Sequence, residues 1–301
     1  MSHWAENKEF STGSIRLTIL FYIYKIFGRR ILKLILYPIV LTSYIFLTTA
    51  RKSSKQYFQT LYDFTQNKKL KPGFNNSFKH LYTFAEALID KVACWADDIK
   101  YDSLNYINPK AVDKFFANIK SNKGIYILCS HLGNIEVLRA ISVNQRTDIR
   151  VNAFTEINQT KKFNDFLAKI NPTSPLNLYS TKQITMQTAF DMSDKLSAGE
   201  VVVMAADRLS ILNTKDNVTK IFLGKPAQFP TGAFRFMRSM DCDFCFLSIC
   251  NNSKNKYDVF LEFYDADQAK KIDAVIDNYV TWLQTTTLQY PYQWYNFHQF
   301  W

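Results

Sequence analysis

The segment Ser130-His131-Leu132-Gly133-Asn134-Ile135-Glu136 places an imidazole and a carboxylate five residues apart. A general base can be built from those two groups. A carboxylate that holds one ring nitrogen leaves the other free to take a proton from an alcohol or amine. Residues five apart on one helix point about 140° away from each other, so one helix does not bring the pair together. The flanking sequence offers another arrangement. Gly124 to Cys129 (GIYILC) reads as a buried strand, and Val137, Leu138, Ala140 and Ile141 follow with helical spacing. His131 then stands where a strand ends, with Asn134 as candidate N-cap and Glu136 in the first helical turn. The intervening loop folds the imidazole back toward Glu136. The spacing alone equally fits an ordinary hydrogen-bonded loop. Among His3, His80, His131 and His298, His131 is the one with strand-loop-helix context.

A second candidate site follows the run Val201 to Ala206, where Asp207-Arg208 sets an acid beside a base at the exit of a buried strand. A plain loop ion pair has the same appearance. Next, Phe222-Leu223-Gly224-Lys225-Pro226-Ala227-Gln228-Phe229-Pro230-Thr231-Gly232 contains two prolines and two glycines that fix a loop, and Thr231 is a candidate cap for the helix after it. The chain closes on Tyr290 to Trp301, with seven aromatics in twelve residues. Such density suits packing over a sheet, the lining of an apolar channel, or an interfacial belt.

The elements that must position these groups alternate. Strands are expected at 124–129, 149–154, 175–179, 200–206, 243–250 and 257–264. Helices are expected at 110–121, 134–143, 158–170, 182–198, 231–240 and 267–288, preceded by a helix and charged connection over 48–71 and a helix over 74–96. Strands separated by single helices predict an α/β fold: a parallel-rich mixed central sheet flanked by helices. Ligands in such sheets gather at the carboxyl ends of the strands, where His131 falls. No phosphate-binding glycine string is present, and eight glycines in 301 residues argue against a nucleotide cradle.

The charge is local. Residues 1–80 hold 13 Lys/Arg and 3 Asp/Glu, which accounts for +10 of the net +11. The same stretch holds the longest apolar runs: Leu17 to Phe27, interrupted by Thr18 and Lys25, and Leu34 to Ala50, uncharged for 17 residues but containing Pro38. Arg29, Arg30 and Lys33 precede that second run, and Arg51, Lys52 and Lys55 follow it. Cations beside aliphatic and aromatic residues, with few acids, predict an N-terminal amphiphilic, membrane-associated helical segment (1–72) lying in an anionic interface, ahead of an α/β domain (73–301). A single span, or burial against the protein's own body, are the alternatives. No zinc spacing or basic helix face points to nucleic acid. A polar start containing Glu6 and Glu9 does not resemble a secretory signal. The five cysteines, Cys94, Cys129, Cys242, Cys245 and Cys250, form no metal-ligand pattern and read as buried thiols of a reducing compartment.

In order and spacing, these blocks resemble the lysophospholipid acyltransferase superfamily, within it the lipid A late acyltransferase (lauroyl/myristoyl acyltransferase)-like branch. The matching positions are the His-x4-acid block His131 to Glu136, the strand Glu200 to Arg208 ending in acid-arginine, the Gly224 to Gly232 loop, and Pro291-x2-Trp294. The likeness spans roughly residues 15 to 298. It implies an acyltransferase of lipid biosynthesis at the cytoplasmic face of a bacterial inner membrane. A fatty acyl group would move from an acyl carrier protein or coenzyme A thioester to a hydroxyl, less often an amine, of a membrane lipid or glycolipid. His131 would be the base and Glu136 its orienting acid. Asp207 would hold Arg208 or its loop, and Arg208 or backbone N–H groups at Gly133 and Asn134 would receive the oxyanion. Lys161, Lys162, Gly224, Lys225, Pro226 and Phe229 would contact substrate. No metal or cofactor is implied, because a thioester is already activated. Asn152 to Lys162 has no arginine, which points away from a phosphorylated disaccharide acceptor. A noncatalytic lipid-binding scaffold of the same fold and a thioesterase-type hydrolase are the rival functions; the missing Gly-x-Ser-x-Gly argues against the hydrolase.

Overall fold

The computed structural model describes residues 14–96, 98–138, 149–155, 176–209, 216–252 and 256–301. The described elements run α1 (Ser14–Phe46), α2 (Thr48–Thr65), α3 (Phe74–Trp95), β1 (Leu104–Tyr106), α4 (Pro109–Lys120), β2 (Ile125–Gly133), β3 (Val151–Thr155), β4 (Leu176–Ser180), α5 (Met186–Ser197), β5 (Val201–Ala205), β6 (Asn217–Phe222), β7 (Lys225–Pro230), α6 (Gly232–Arg238), β8 (Phe244–Asn251), β9 (Tyr257–Tyr264) and α7 (Ile272–Gln289). Seven strands form one sheet in the order β1-β9-β8-β2-β5-β3-β4, and β6-β7 form a separate pair. Every neighbouring pair in the large sheet is parallel except β8 and β9. This is the parallel-rich mixed α/β sheet that the apolar runs predict, with strand bounds within a few residues of those expected.

Both faces of the sheet are covered, and β2 shows how. Ile125, Ile127 and Cys129 point into a core with Phe21 of α1, Ile89 of α3 and Phe115 of α4. Tyr126, Leu128 and Leu132 point into the opposite core with Phe58 of α2, Phe234 of α6 and Tyr279 of α7. A strand buried on both sides reads as an unbroken apolar run, and each such side chain contributes roughly 1.5–3 kcal/mol. The described part of the segment 1–72, set apart by charge, shares these cores: Tyr57, Phe58 and Leu61 pack in one and Phe21, Tyr24 and Leu32 in the other.

Helix α1 breaks at Gly28, whose φ of 69° lies in the left-handed region that a residue without Cβ adopts freely. The next residue, Arg29, is drawn inward to Asp90 of α3, whose second oxygen accepts from Tyr257 Oη–H at 2.8 Å and Asn251 Nδ2 at 3.1 Å. The rest of α1 leaves large apolar side chains in solvent, among them Ile26, Leu34 and Phe46, which are 72%, 74% and 80% exposed. Among the described residues no single helix is long and apolar enough to cross a membrane. The segments Ile31–Phe46 and Thr48–Thr65, bent by 93°, reach that length and apolarity only as a pair.

Two expectations change. The segment 222–232 is not a rigid loop but the turn and second strand of a β6-β7 hairpin, with Leu223 and Gly224 both at positive φ in the two-residue turn. The run of two prolines hid a strand that has its partner on one side only. Thr231 stands at the N-cap of α6, yet its hydroxyl donates to the Asp216 carbonyl at 3.1 Å instead of capping. Of the helix expected at 134–143, the described part opens with a 3-10 turn, Ile135–Val137, and passes into α-helix at Leu138; residues 139–143 and the helix expected at 158–170 lie outside the described residues.

Candidate active site

His131 belongs to the last part of β2, not to a loop beyond it. On its β8 side the register shifts: Cys129 faces Leu247, but Gly133 faces Ile249, so β2 carries two extra residues there. Such a bulge re-aims the side chains it contains. On its β5 side the register is regular through Cys129 opposite Ala205, and Ala206 N–H donates to the Cys129 carbonyl at 3.0 Å. Two residues beyond this last pair stand His131, still within β2, and Asp207, just past the end of β5. His131 Nδ1 lies 2.8 Å from Asp207 Oδ1, and the His131 backbone N–H donates to Oδ2 at 2.9 Å. A carboxylate only accepts, so Nδ1 carries the proton. The Nε2 nitrogen is then the proton acceptor of the neutral ring, and no described residue hydrogen-bonds to it.

The chain's C-terminal segment completes the site. Leu132 and Trp294 form an antiparallel bridge, Gly133 N–H donates to Gln293 O at 2.9 Å, and Tyr295 N–H donates to His131 O at 2.7 Å. The Trp294 indole, fully buried among Tyr57, Phe222 and Phe300, donates its Nε1–H to Asp207 Oδ2 at 3.0 Å. Asp207 therefore has three donors on two oxygens while its side chain is 1% exposed; the His131 side chain is 34% exposed. Burial raises the Asp207 carboxyl, but the charge and hydrogen bonds of His131, with Arg208 beside it, prevail and lower it to about 2. An anchored anion and a half-exposed imidazole, at the carboxyl ends of adjacent parallel strands, make a proton-accepting site.

The two sites that the sequence presents separately are thus one, and the roles of the carboxylates change. Glu136 does not hold the imidazole: its Oε1 pairs with Lys91 Nζ of α3 at 2.8 Å, because the 3-10 turn after Gly133 carries it to that helix. Asp207 holds His131 instead of Arg208, whose Nη2 donates to Tyr295 O at 2.9 Å. The N–H groups of Gly133 and Asn134 are not open to an oxyanion, since they donate to Gln293 O at 2.9 Å and Ile249 O at 2.8 Å. Asn134 does cap its turn, accepting from Glu136 N–H at 3.2 Å, and its amide donates to Ala87 O at 3.1 Å. Gly133 is required sterically: its φ is 76°, and a Cβ would lie 2.2 Å from Ile249 O.

The substrate-contact candidates of the hairpin lie elsewhere. Lys225 Nζ faces Asp63 at 3.3 Å and Thr60 at 3.4 Å on α2. Gly224 sits against the Phe64 ring, and Phe229 is fully buried against Phe222 and Phe300. Pro226 pairs with Ile221 in the hairpin. Of these residues Phe229 packs in the core with Trp294, Gly224 and Pro226 are exposed, and the Lys225 cation is turned toward α2. Lys161 and Lys162 lie outside the described residues. Trp294, Ser54 and His80 carry no site role in the sequence reading. The first has a signal, the Pro-x-x-Trp block; the others sit unmarked on helix faces. No protein-family model matches the chain, and no curated protein matches it.

Proposed function

We propose that the protein transfers an acyl group from a thioester to a hydroxyl or amine of a membrane lipid, with His131 as general base. The observation that carries this reading is the 2.8 Å contact between His131 Nδ1 and the buried Asp207 carboxylate, which leaves Nε2 directed away from its anchor on a partly exposed ring. Nε2 takes the acceptor's proton as its oxygen or nitrogen attacks the thioester carbonyl. The tetrahedral intermediate collapses with loss of the thiolate, and the imidazolium returns the proton to the leaving sulfur. Asp207 keeps the ring in the required tautomer and balances its positive charge while the proton is held. Such a base contributes about 10²–10⁴-fold.

The thioester donor is an acyl carrier protein or coenzyme A, and the acceptor resides in a bilayer. Support for the bilayer comes from the apolar side chains that α1 exposes beside the basic residues of the same quarter of the chain. The resemblance of the His131, Asp207-Arg208 and Pro291-x2-Trp294 blocks to the lipid A late acyltransferase branch selects this reaction among those an imidazole-carboxylate pair performs.

The test follows thiol release by purified protein from an acyl-thioester in the presence of a membrane lipid extract. Wild-type protein is expected to release thiol only with lipid present and to yield an acylated lipid. Folded His131→Ala protein with undiminished turnover would remove His131 from the reaction. Thiol release with free fatty acid as the sole product would replace transfer by hydrolysis.

A further inference from the structure

Behind the site lies a second histidine. His80 of α3 is fully buried, with Nε2 2.8 Å from the Trp294 carbonyl and Nδ1 3.0 Å from the Ser54 hydroxyl of α2. A carbonyl cannot donate, so Nε2 bears the proton, and Nδ1 accepts the proton of Ser54. Burial lowers the His80 pKa to about 4, with the Trp294 carbonyl opposing only in part, so the ring is neutral at physiological pH. Ser54, His80 and Trp294 are each 0% exposed. The same Trp294 whose carbonyl receives His80 gives its indole N–H to Asp207 Oδ2 at 3.0 Å, and its backbone is paired with Leu132 beside His131.

We infer that His80 and Trp294 are positioning residues for His131: His80 fixes the Trp294 backbone, and the indole fixes the Asp207 carboxylate whose other oxygen selects the His131 tautomer. This rests on the reading of His131 as the base. Packing alone does not require the arrangement, because a leucine at 80 and a phenylalanine at 294 fill similar apolar space. What those residues lack are the two N–H groups. A carboxylate with one fewer donor can turn, and the imidazole then gains access to its other neutral tautomer, with the proton on Nε2, which cannot act as base.

The test combines ¹⁵N-histidine spectra of the full chain in detergent with steady-state kinetics, for wild type and for His80→Leu, His80→Gln and Trp294→Phe, with His131→Gln to assign the resonances. In wild type, neutral His131 is expected to carry its proton on Nδ1 and His80 on Nε2. Trp294→Phe and His80→Leu are expected to raise the share of the Nε2–H form of His131 and to lower kcat about 10–100-fold, as loss of a supporting partner does elsewhere, with KM little changed. His80→Gln keeps a donor to the Trp294 carbonyl and is expected to restore both readouts. If His80→Leu fails to fold, Ser54→Ala loosens the same ring by removing only a hydroxyl and is expected to move both readouts in the same direction. Folded Trp294→Phe and Ser54→Ala proteins with the wild-type tautomer and kcat would overturn the assignment. A wild-type protein without acyl transfer overturns the reaction, while the tautomer comparison still decides the positioning.

Discussion

His131 Nδ1 and Asp207 Oδ1 stand 2.8 Å apart although 76 residues separate them in the chain. The contact is a consequence of parallel pairing between β2 and β5, whose last paired residues, Cys129 and Ala205, each stand two positions before a member of the pair. Loops are free to vary around such a site; the register of two central strands is not.

Asp207→Asn and Glu136→Gln separate the two candidate carboxylates. The first is expected to lower kcat about 10²–10⁴-fold, near the loss for His131→Ala, with the double variant no worse than either. Glu136→Gln breaks only the pair with Lys91 and is expected to retain most turnover. Kinetics of the four proteins on one acyl-thioester check this, and a large loss in Glu136→Gln alone would reverse the assignment.

Stability should depend on acid through Asp207. Its folded-state pKa is lowered to about 2, below that of the unfolded chain, so its contribution is present above the unfolded value near 4 and is lost as pH falls toward 2. The two-unit interval corresponds to on the order of 2 kcal/mol. Urea unfolding of wild type and Asp207→Asn at pH 6, 4 and 3 is expected to show a gap that narrows as the pH drops.

Gly133→Ala is expected to damage both fold and site. The added Cβ meets the Ile249 carbonyl at 2.2 Å in a backbone already at φ 76°, a combination that costs at least about 2 kcal/mol. Thermal unfolding and thiol release should fall together, because the Gly133 segment carries His131.

Removing Arg29 leaves the Asp90 carboxylate, 2% exposed, without its cation. Arg29→Met is expected to destabilise by about 3–5 kcal/mol. The pair Arg29→Met with Asp90→Asn should recover part of that loss, measurable by denaturant unfolding. Full additivity of the two would mean that they do not interact.

Ile26, Leu34 and Phe46 contribute little to the folded core because they are largely exposed. Replacing all three by serine is expected to abolish flotation with anionic liposomes while shifting unfolding by no more than about 0.5 kcal/mol per site. Wild-type binding should weaken as salt rises, since part of the attraction is ionic. Binding that survives both the substitutions and high salt would exclude α1 as the contact.

Much of this molecule was legible as a string of residues. The runs GIYILC and VVVMAA must be buried strands, since a chain exposes that many contiguous apolar groups only at high cost. Alternation with helical spacing then dictated a covered, parallel-rich sheet, and His131 had to fall at the carboxyl end of a strand. The basic, apolar character of the first quarter is also a property of the sequence alone. Only the tertiary structure decided which carboxylate serves the imidazole. Glu136 is near in sequence, but a bulge at 130–132 and the 3-10 turn after Gly133 carry it to Lys91, whereas Asp207 arrives through strand pairing. Likewise Trp294 and His80 meet the site through contacts across more than 80 residues of chain. Local sequence encodes burial and element type because those depend on neighbours a few residues away. Partner choice at the site depends on sheet register and on where the chain's end returns, and no spacing along the sequence records either.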